Sequence, residues 1–162
     1  VERLGAVAKC APPVRDNPGL WERLDEIDMV TSDHSPSSPE LKEGAFADAW
    51  GGIAGCQTTL ELLAGECEPD TLERLISSGA AERFGIPQKG RIEPGADADL
   101  ALVDLDAEHT LRPGDLLYRH RISPWIGRRL RARVVRTLLR GSDPAPGAGR
   151  LLTPATERSP AT

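Results

Sequence analysis

Ile27-Asp28-Met29-Val30-Thr31-Ser32-Asp33-His34-Ser35-Pro36-Ser37 is the stretch on which the fold turns. Its first half is β-branched enough to be a strand. Ile27, Met29 and Thr31 then share one face, and Asp33 continues their parity. A carboxylate at the C-terminal tip of an apolar strand, with an imidazole beside it and a proline that stops the strand, is how (β/α) barrels present catalytic groups. Such a carboxylate can both ligate a cation and accept a proton from an attacking water. Asp-His-Ser-Pro also spells an ordinary turn. Taken alone, these residues favour the turn, and the flanking segments decide otherwise.

Upstream, Pro12-Pro13 makes residues 10–18 a loop, and Leu20-Trp21 with Leu24 mark a short helix. Downstream, the polar, proline-broken run from Pro36 to Gly44 reads as a surface loop. Gly51, Gly52 and Gly55 predict a tight turn into a helix over Thr58 to Leu63. A further helix is expected from Asp70, with Asp70 and Glu73 in capping-box spacing. Leu72, Leu75, Ile76, Ala80 and Phe84 form its stripe and Gly85 ends it. Ser77-Ser78-Gly79 offers a break within it.

The pattern changes after residue 88. Lys89 to Asp99 is turn chemistry, with Pro94-Gly95 at the centre of a type II turn. Strands are predicted over Leu100 to Leu105 and Leu130 to Leu139. We therefore expect three parts: barrel strands and helices over 1–88, a small β unit over 89–141, and a disordered, proline-containing tail over 142–162.

The 162 residues, 39% hydrophobic and 28% charged, are those of a soluble globular chain. No apolar run approaches the roughly 20 residues needed to span a bilayer, so no membrane partner is expected. The chain begins Val1-Glu2-Arg3 with neither an initiator Met nor a signal pattern, which suggests a true start further upstream. Cys10, Cys56 and Cys67 are an odd number without a C-x-x-C pair, which favours a reducing cytoplasm.

The remaining features carry less. Eight arginines lie between Arg119 and Arg140. They could form a nucleic-acid patch, but no aromatic residues interleave to stack bases, so a solvated strand face is expected and no nucleic-acid partner. The glycines match no phosphate-binding pattern, and close approach to a ligand or a neighbouring element explains them better. Cys56 is expected as a buried thiol. His109 and His120, distant from Asp33 in sequence, are expected as surface or packing histidines.

Five segments together settle the reading. Lys9-Cys10-Ala11-Pro12-Pro13-Val14-Arg15-Asp16, Ser32-Asp33-His34-Ser35-Pro36 and Ala49-Trp50-Gly51-Gly52-Ile53-Ala54-Gly55-Cys56-Gln57 are three of them. Phe84-Gly85-Ile86-Pro87-Gln88-Lys89-Gly90-Arg91 with its continuation to Leu100, and His120-Arg121-Ile122-Ser123-Pro124-Trp125-Ile126-Gly127, are the others. From Lys9 to Gly141 the chain resembles the C-terminal part of allantoinases, metal-dependent cyclic amidohydrolases. The Trp-Gly-Gly-Ile-Ala-Gly and His-Arg-Ile-Ser-Pro-Trp segments favour allantoinase over hydantoinase or dihydroorotase.

The resemblance implies an α/β fold: the C-terminal part of a TIM-like (β/α)8 amidohydrolase barrel, followed by strands of a small β-sandwich. It implies hydrolytic opening of allantoin, a small-molecule substrate, to allantoate, and a homotetramer for the full-length form. Two divalent metals are implied, usually Zn2+ with Co2+ or Mn2+ as alternatives. They are held by a His-x-His pair, a carboxylated lysine, two further histidines and one aspartate. Asp33 matches that aspartate as metal ligand and proton acceptor. Cys10, Ala11, Ser35, Gly51 and Gly52 fall where the family contacts substrate. The chain's three histidines form no His-x-His, and Lys9, Lys42 and Lys89 do not match the bridging lysine. The resemblance therefore places the other ligands outside this chain, which alone is expected to be inactive or a non-catalytic remnant.

Overall fold

The computed structural model describes residues 4–13 and 18–153. Val14, Arg15 and Asp16 of the expected loop motif, and residues 154–162 of the expected tail, lie outside it. A 3₁₀ segment, Pro18–Glu26, kinks at Arg23. Three short helices follow: α1 (Thr59–Ala64), α2 (Pro69–Glu73) and α3 (Gly79–Arg83). Then come β1 (Leu100–Asp104), β2 (His109–Thr110), β3 (Arg129–Leu130) and β4 (Arg133–Leu138).

The expected strand over Ile27–Thr31 is extended chain without a strand partner among the described residues. A parallel strand needs a neighbour to take its hydrogen bonds, and here the contacts are isolated bonds rather than a ladder. His34 forms a single parallel bridge with Ile53, and the Val30 N–H donates to the Leu75 carbonyl at 2.7 Å. The guanidinium of Arg74 donates to the Leu24 carbonyl at 2.9 Å and to that of Ile27. Arg74 thus satisfies carbonyls that the end of the 3₁₀ segment leaves over.

The break expected at Ser77-Ser78-Gly79 is real, but it does not end the helix. Residues Arg74–Ser78 form a π turn joining α2 to α3. Gly79 follows, and a Cβ there would lie 2.2 Å from the Asp28 carbonyl oxygen and 2.5 Å from that of Arg74. The widened turn seats the helix directly on the Asp28 backbone. The Asp70 capping box does not form: Pro69 occupies the first turn, Glu68 stands at the N-cap, and no side chain caps the end.

In the β unit, β1 pairs antiparallel with β4, with an irregularity between Leu102 and Val103, and β2 pairs with β3. The single strand expected over Leu130–Leu139 is therefore two. The chain leaves β2 and joins β1 across Arg131-Ala132, where Ala132 is fully buried. The turn before β1 is held by Lys89, whose ammonium bridges Asp97 at 2.7 Å and Asp99. Asp99 also accepts the Arg140 N–H at 2.6 Å, tying that turn to the end of β4. Gly95, at φ +95°, has the conformation that the type II turn demands. Within the expected tail, Leu139 bridges Ser142 and Arg136 pairs with Asp143.

Two small cores share α1. Leu63 and Ala64 pack with Leu72 and Ala132, while Leu62 lies against a second cluster of Leu111, Leu116 and Leu130. The first half of the chain is far less covered: Leu20, Trp21, Leu41, Phe46 and Trp50 are each about half exposed. The accessible surface is 11763 Å², whereas a compact protein of 17.4 kDa exposes about 7,900 Å². The fold is open, with much apolar surface still in water.

In an ordinary helix, Gly→Ala stabilises by about 1 kcal/mol. Here Gly79→Ala is expected to lower stability by roughly 1–3 kcal/mol, because the new methyl overlaps the Asp28 carbonyl. Gly114→Ala, with open space around it, serves as the control. Urea unfolding of both variants is the measurement. A Gly79→Ala chain at least as stable as its parent would mean the helix is not seated there.

Candidate active site

Asp33 and its neighbours form the candidate site. The Asp33 side chain is exposed and makes no hydrogen bond or ion pair with the described residues, while the chain on either side of it is closely held. The Ser35 N–H donates to the Ile53 carbonyl at 2.9 Å. His34 Nδ1 accepts the Gly55 N–H at 3.2 Å, with the Cys56 N–H at 3.5 Å. Both donors are backbone amides, so Nδ1 is the unprotonated nitrogen and the ring proton sits on Nε2. The Tyr118 ring packs on this imidazole at 4.9 Å between centroids.

The five residues expected to contact substrate come together. A Cβ on Gly52 would lie 2.4 Å from Ser35 Oγ, so only glycine permits this approach. A Cβ on Gly51 would lie 3.7 Å from Ala11 Cβ, at van der Waals contact. Cys10 donates its thiol to the Pro12 carbonyl at 3.2 Å. Of the expected tight turn, Gly51 and Gly52 are instead chain that lies against Ser35 and bridges His34 through Ile53, while Gly55 opens the turn into α1, its carbonyl accepting the Thr58 N–H at 3.1 Å.

Two residues that the sequence reading passed over do the joining. The Lys42 ammonium donates to the carbonyls of Gly52 at 2.6 Å, Trp50 at 2.9 Å and Lys9 at 3.0 Å, spending all three of its protons on one knot of backbone. Burial pulls its pKa below the ordinary lysine value. Gln57 clamps the β unit: its amide donates to the Asp115 carbonyl and accepts the Leu117 N–H, both at 2.8 Å. The Gln57 backbone N–H donates to Tyr118 Oη, also at 2.8 Å. A lysine or glutamine bound to backbone carbonyls and amides leaves no partner residue type for a motif search to find.

Other expectations divide. Cys56 is exposed, not buried, because it stands on the turn entering α1. His109 packs in the β unit, with Nε2 3.5 Å from Glu61, while Glu61 accepts the Val134 N–H at 2.8 Å. His120 is brought to His34: both line an open cavity of about 580 Å³ together with Trp50, Tyr118 and Arg119. Of the arginine-rich stretch, Arg129, Arg133 and Arg136 lie exposed on strands, with Arg129 and Arg136 paired to Glu108 and Asp143, while Arg119 lies in a loop.

Catalytic zinc ordinarily takes about three protein ligands. Among the described residues no group of three or more His, Cys, Asp or Glu is placed to hold a metal ion. Asp33 can supply one ligand, and the residues present do not make a metal site.

The site is thus an exposed carboxylate at the end of an extended segment, beside a glycine-lined stretch and followed by a small β unit. The amidohydrolase family pattern matches residues 12–142, and the chain belongs to that family. Among curated relatives it is similar to the allantoinase of Rubrobacter xylanophilus, 48% identical over 96% of this chain and 38% of the relative. The allantoinase of Desulfitobacterium hafniense is 48% identical over 88% of this chain and 34% of its own length. Among solved structures, the L-hydantoinase (dihydropyrimidinase) of Arthrobacter aurescens superposes with a TM-score of 0.81 at 34% identity, over 88% of this chain and 35% of that one. The D-hydantoinase (dihydropyrimidinase) of a Thermus species gives 0.77 at 27%, over 85% and 33%. The chain spans roughly a third of the length of the curated relatives it matches. The fold is accordingly a partial α/β region of the TIM-barrel amidohydrolase architecture.

Burial raises the Tyr118 phenol from its ordinary value of 10 to about 12. Its neutral form is the one the fold holds, so the associated stability is complete below pH 10 and is lost as pH rises through 12. Tyr118 is the chain's single tyrosine, so tyrosinate absorbance reads this residue alone. Spectroscopic titration should give a midpoint near 12 in the folded chain and near 10 in urea. A folded midpoint at 10 would place the phenol in water and remove it from the His34 contact.

Proposed function

We propose that this chain is the C-terminal portion of an allantoinase, contributing to hydrolytic ring opening of allantoin to allantoate in purine degradation. The observation that carries the reading is the set of curated relatives named allantoinase, 44–48% identical over at least 86% of this chain. Residues 1–88 form the last part of the hydrolase barrel, 89–141 a segment of its β-sandwich, and 142–162 a tail. Asp33 is the proton acceptor and one metal ligand. It takes the proton of the attacking water and passes it to the leaving ring nitrogen. Its freedom from partners among the described residues suits that task. Cys10, Ala11, Ser35, Gly51 and Gly52 supply backbone and hydroxyl groups around the substrate, and their mutual contact supports the assignment.

The complete enzyme uses two divalent metals, Zn2+ with Co2+ or Mn2+ as alternatives. The remaining ligands, including a carboxylated lysine, lie outside this chain, which is inactive alone. The enzyme is a homotetramer of the cytoplasm. Its unpaired cysteines support that location, and no helix among the described residues is long and apolar enough to cross a membrane. The hydantoinase structures support a second reading, cyclic-amide hydrolysis on hydantoin or a dihydropyrimidine.

A chimera decides between them: the matching segment of the Rubrobacter xylanophilus allantoinase is replaced by this chain. It should form allantoate when zinc, cobalt or manganese is supplied, and Asp33→Asn should reduce turnover by about 10²–10⁴-fold. Hydantoin turnover without allantoin turnover would favour the second reading. A folded, metal-loaded chimera inactive on both would make this chain a non-catalytic remnant.

A further inference from the structure

We infer that the cavity shared by His34, Trp50, Tyr118, Arg119 and His120 binds a small organic carboxylate with a flat apolar body. The cavity, about 580 Å³, is of the size that holds small ligands. It is built from three parts of the chain: the loop after Asp33, Trp50, and the segment 118–120 between β2 and β3. Asp33 is not among its lining residues, so the role proposed for that carboxylate does not consume it.

Three side chains on its wall, those of Arg119, His34 and His120, can donate. Arg119 is exposed and has no ion-pair partner among the described residues. His34 has both backbone amides on Nδ1, which leaves Nε2–H as a donor. His120 adds a second imidazole. No acidic side chain lines the cavity.

The remaining wall is apolar. Trp50 is 47% and Leu41 52% exposed there, which is surface that a flat ligand would remove from water. An arginine fork recognises a carboxylate bidentately, and an indole recognises a flat body. The union of the two selects the class of ligand.

The test uses the purified chain with benzoate, its neutral isostere benzamide, and inorganic phosphate as probes, followed by tryptophan fluorescence and by NMR shifts of the imidazole protons. Benzoate should bind saturably and at least about tenfold more tightly than benzamide, the effect of one charge-assisted hydrogen bond. Arg119→Met should remove that preference, and Trp50→Leu should weaken both aromatic probes. Arg119→Lys, which keeps the charge and loses the fork, should fall between. Equal binding of benzoate and benzamide, a preference for phosphate over benzoate, or no saturable binding would overturn the proposal. So would a benzoate affinity unchanged in a folded Arg119→Met chain. The readout is binding alone, so it fails or succeeds independently of any hydrolytic activity.

Discussion

The chain from Ser32 to Ser35 and the chain from Gly52 to Gly55 lie closer together than side chains allow. A Cβ at Gly52 would meet Ser35 Oγ at 2.4 Å, and one at Gly55 would meet Ser32 Oγ at 2.9 Å. With glycine at both places, the two backbones bond directly: Ser35 N–H to Ile53 and Gly55 N–H to His34. The rest of the site hangs on this contact. It presents the Gly55 and Cys56 amides to the imidazole, which fixes the tautomer and gives Tyr118 a ring to pack on. It also sets the Gly52 carbonyl within reach of Lys42, which in turn gathers Trp50 and Lys9.

The arrangement transfers rigidity from one half of the molecule to the other. The β unit has buried leucines and a paired sheet, whereas residues 20–50 leave many large apolar side chains half in water. Gln57 and Tyr118 connect the two, because the chain after Gly55 runs at once into α1, which both cores share. Backbone bonds at 2.8 Å on Gln57 and on the phenol of Tyr118 therefore carry order from the packed half to the loop bearing Asp33. A site on an open, partly covered scaffold needs such supports, since burial alone does not fix its geometry.

What the sequence disclosed follows from what each kind of interaction leaves behind in it. The type II turn at Pro94-Gly95 was legible, because it is set by neighbouring residue types; the common face expected of Ile27, Met29, Thr31 and Asp33 was not met, since no strand forms there and Val30, of the other parity, packs against the core. The grouping of Ala11, Ser35, Gly51 and Gly52 came from resemblance, and in the structure the approach of Gly52 to Ser35 is one that only glycine permits, while Gly51 meets Ala11 at ordinary contact distance. Lys42 and Gln57 were not legible, since they bind main-chain atoms that every residue carries. Nor was the place of His120, which stands 86 positions from His34 and meets it only through the return of the β unit. The π turn at Arg74–Ser78 was foreshadowed only as a break, because its cause is the carbonyl of Asp28 beneath Gly79 rather than anything local.

The contrast between Asp33 and the residues around it bears on the chemistry. Lys42 and Gln57 have their side-chain hydrogen-bonding groups engaged by main-chain atoms and His34 accepts through Nδ1, whereas the Asp33 carboxylate has no hydrogen bond among the described residues. An anion spent on an internal ion pair is a poor ligand and a poor base, because breaking that pair adds to the cost of every turnover. Holding the backbone while leaving the carboxylate free separates orientation from reactivity. The same logic explains why one exposed carboxylate is insufficient here: without further ligands nothing excludes water from it, and in water its attraction for a cation is weak. On the proposed reading, Asp33 serves a site whose completion requires donors other than the described residues.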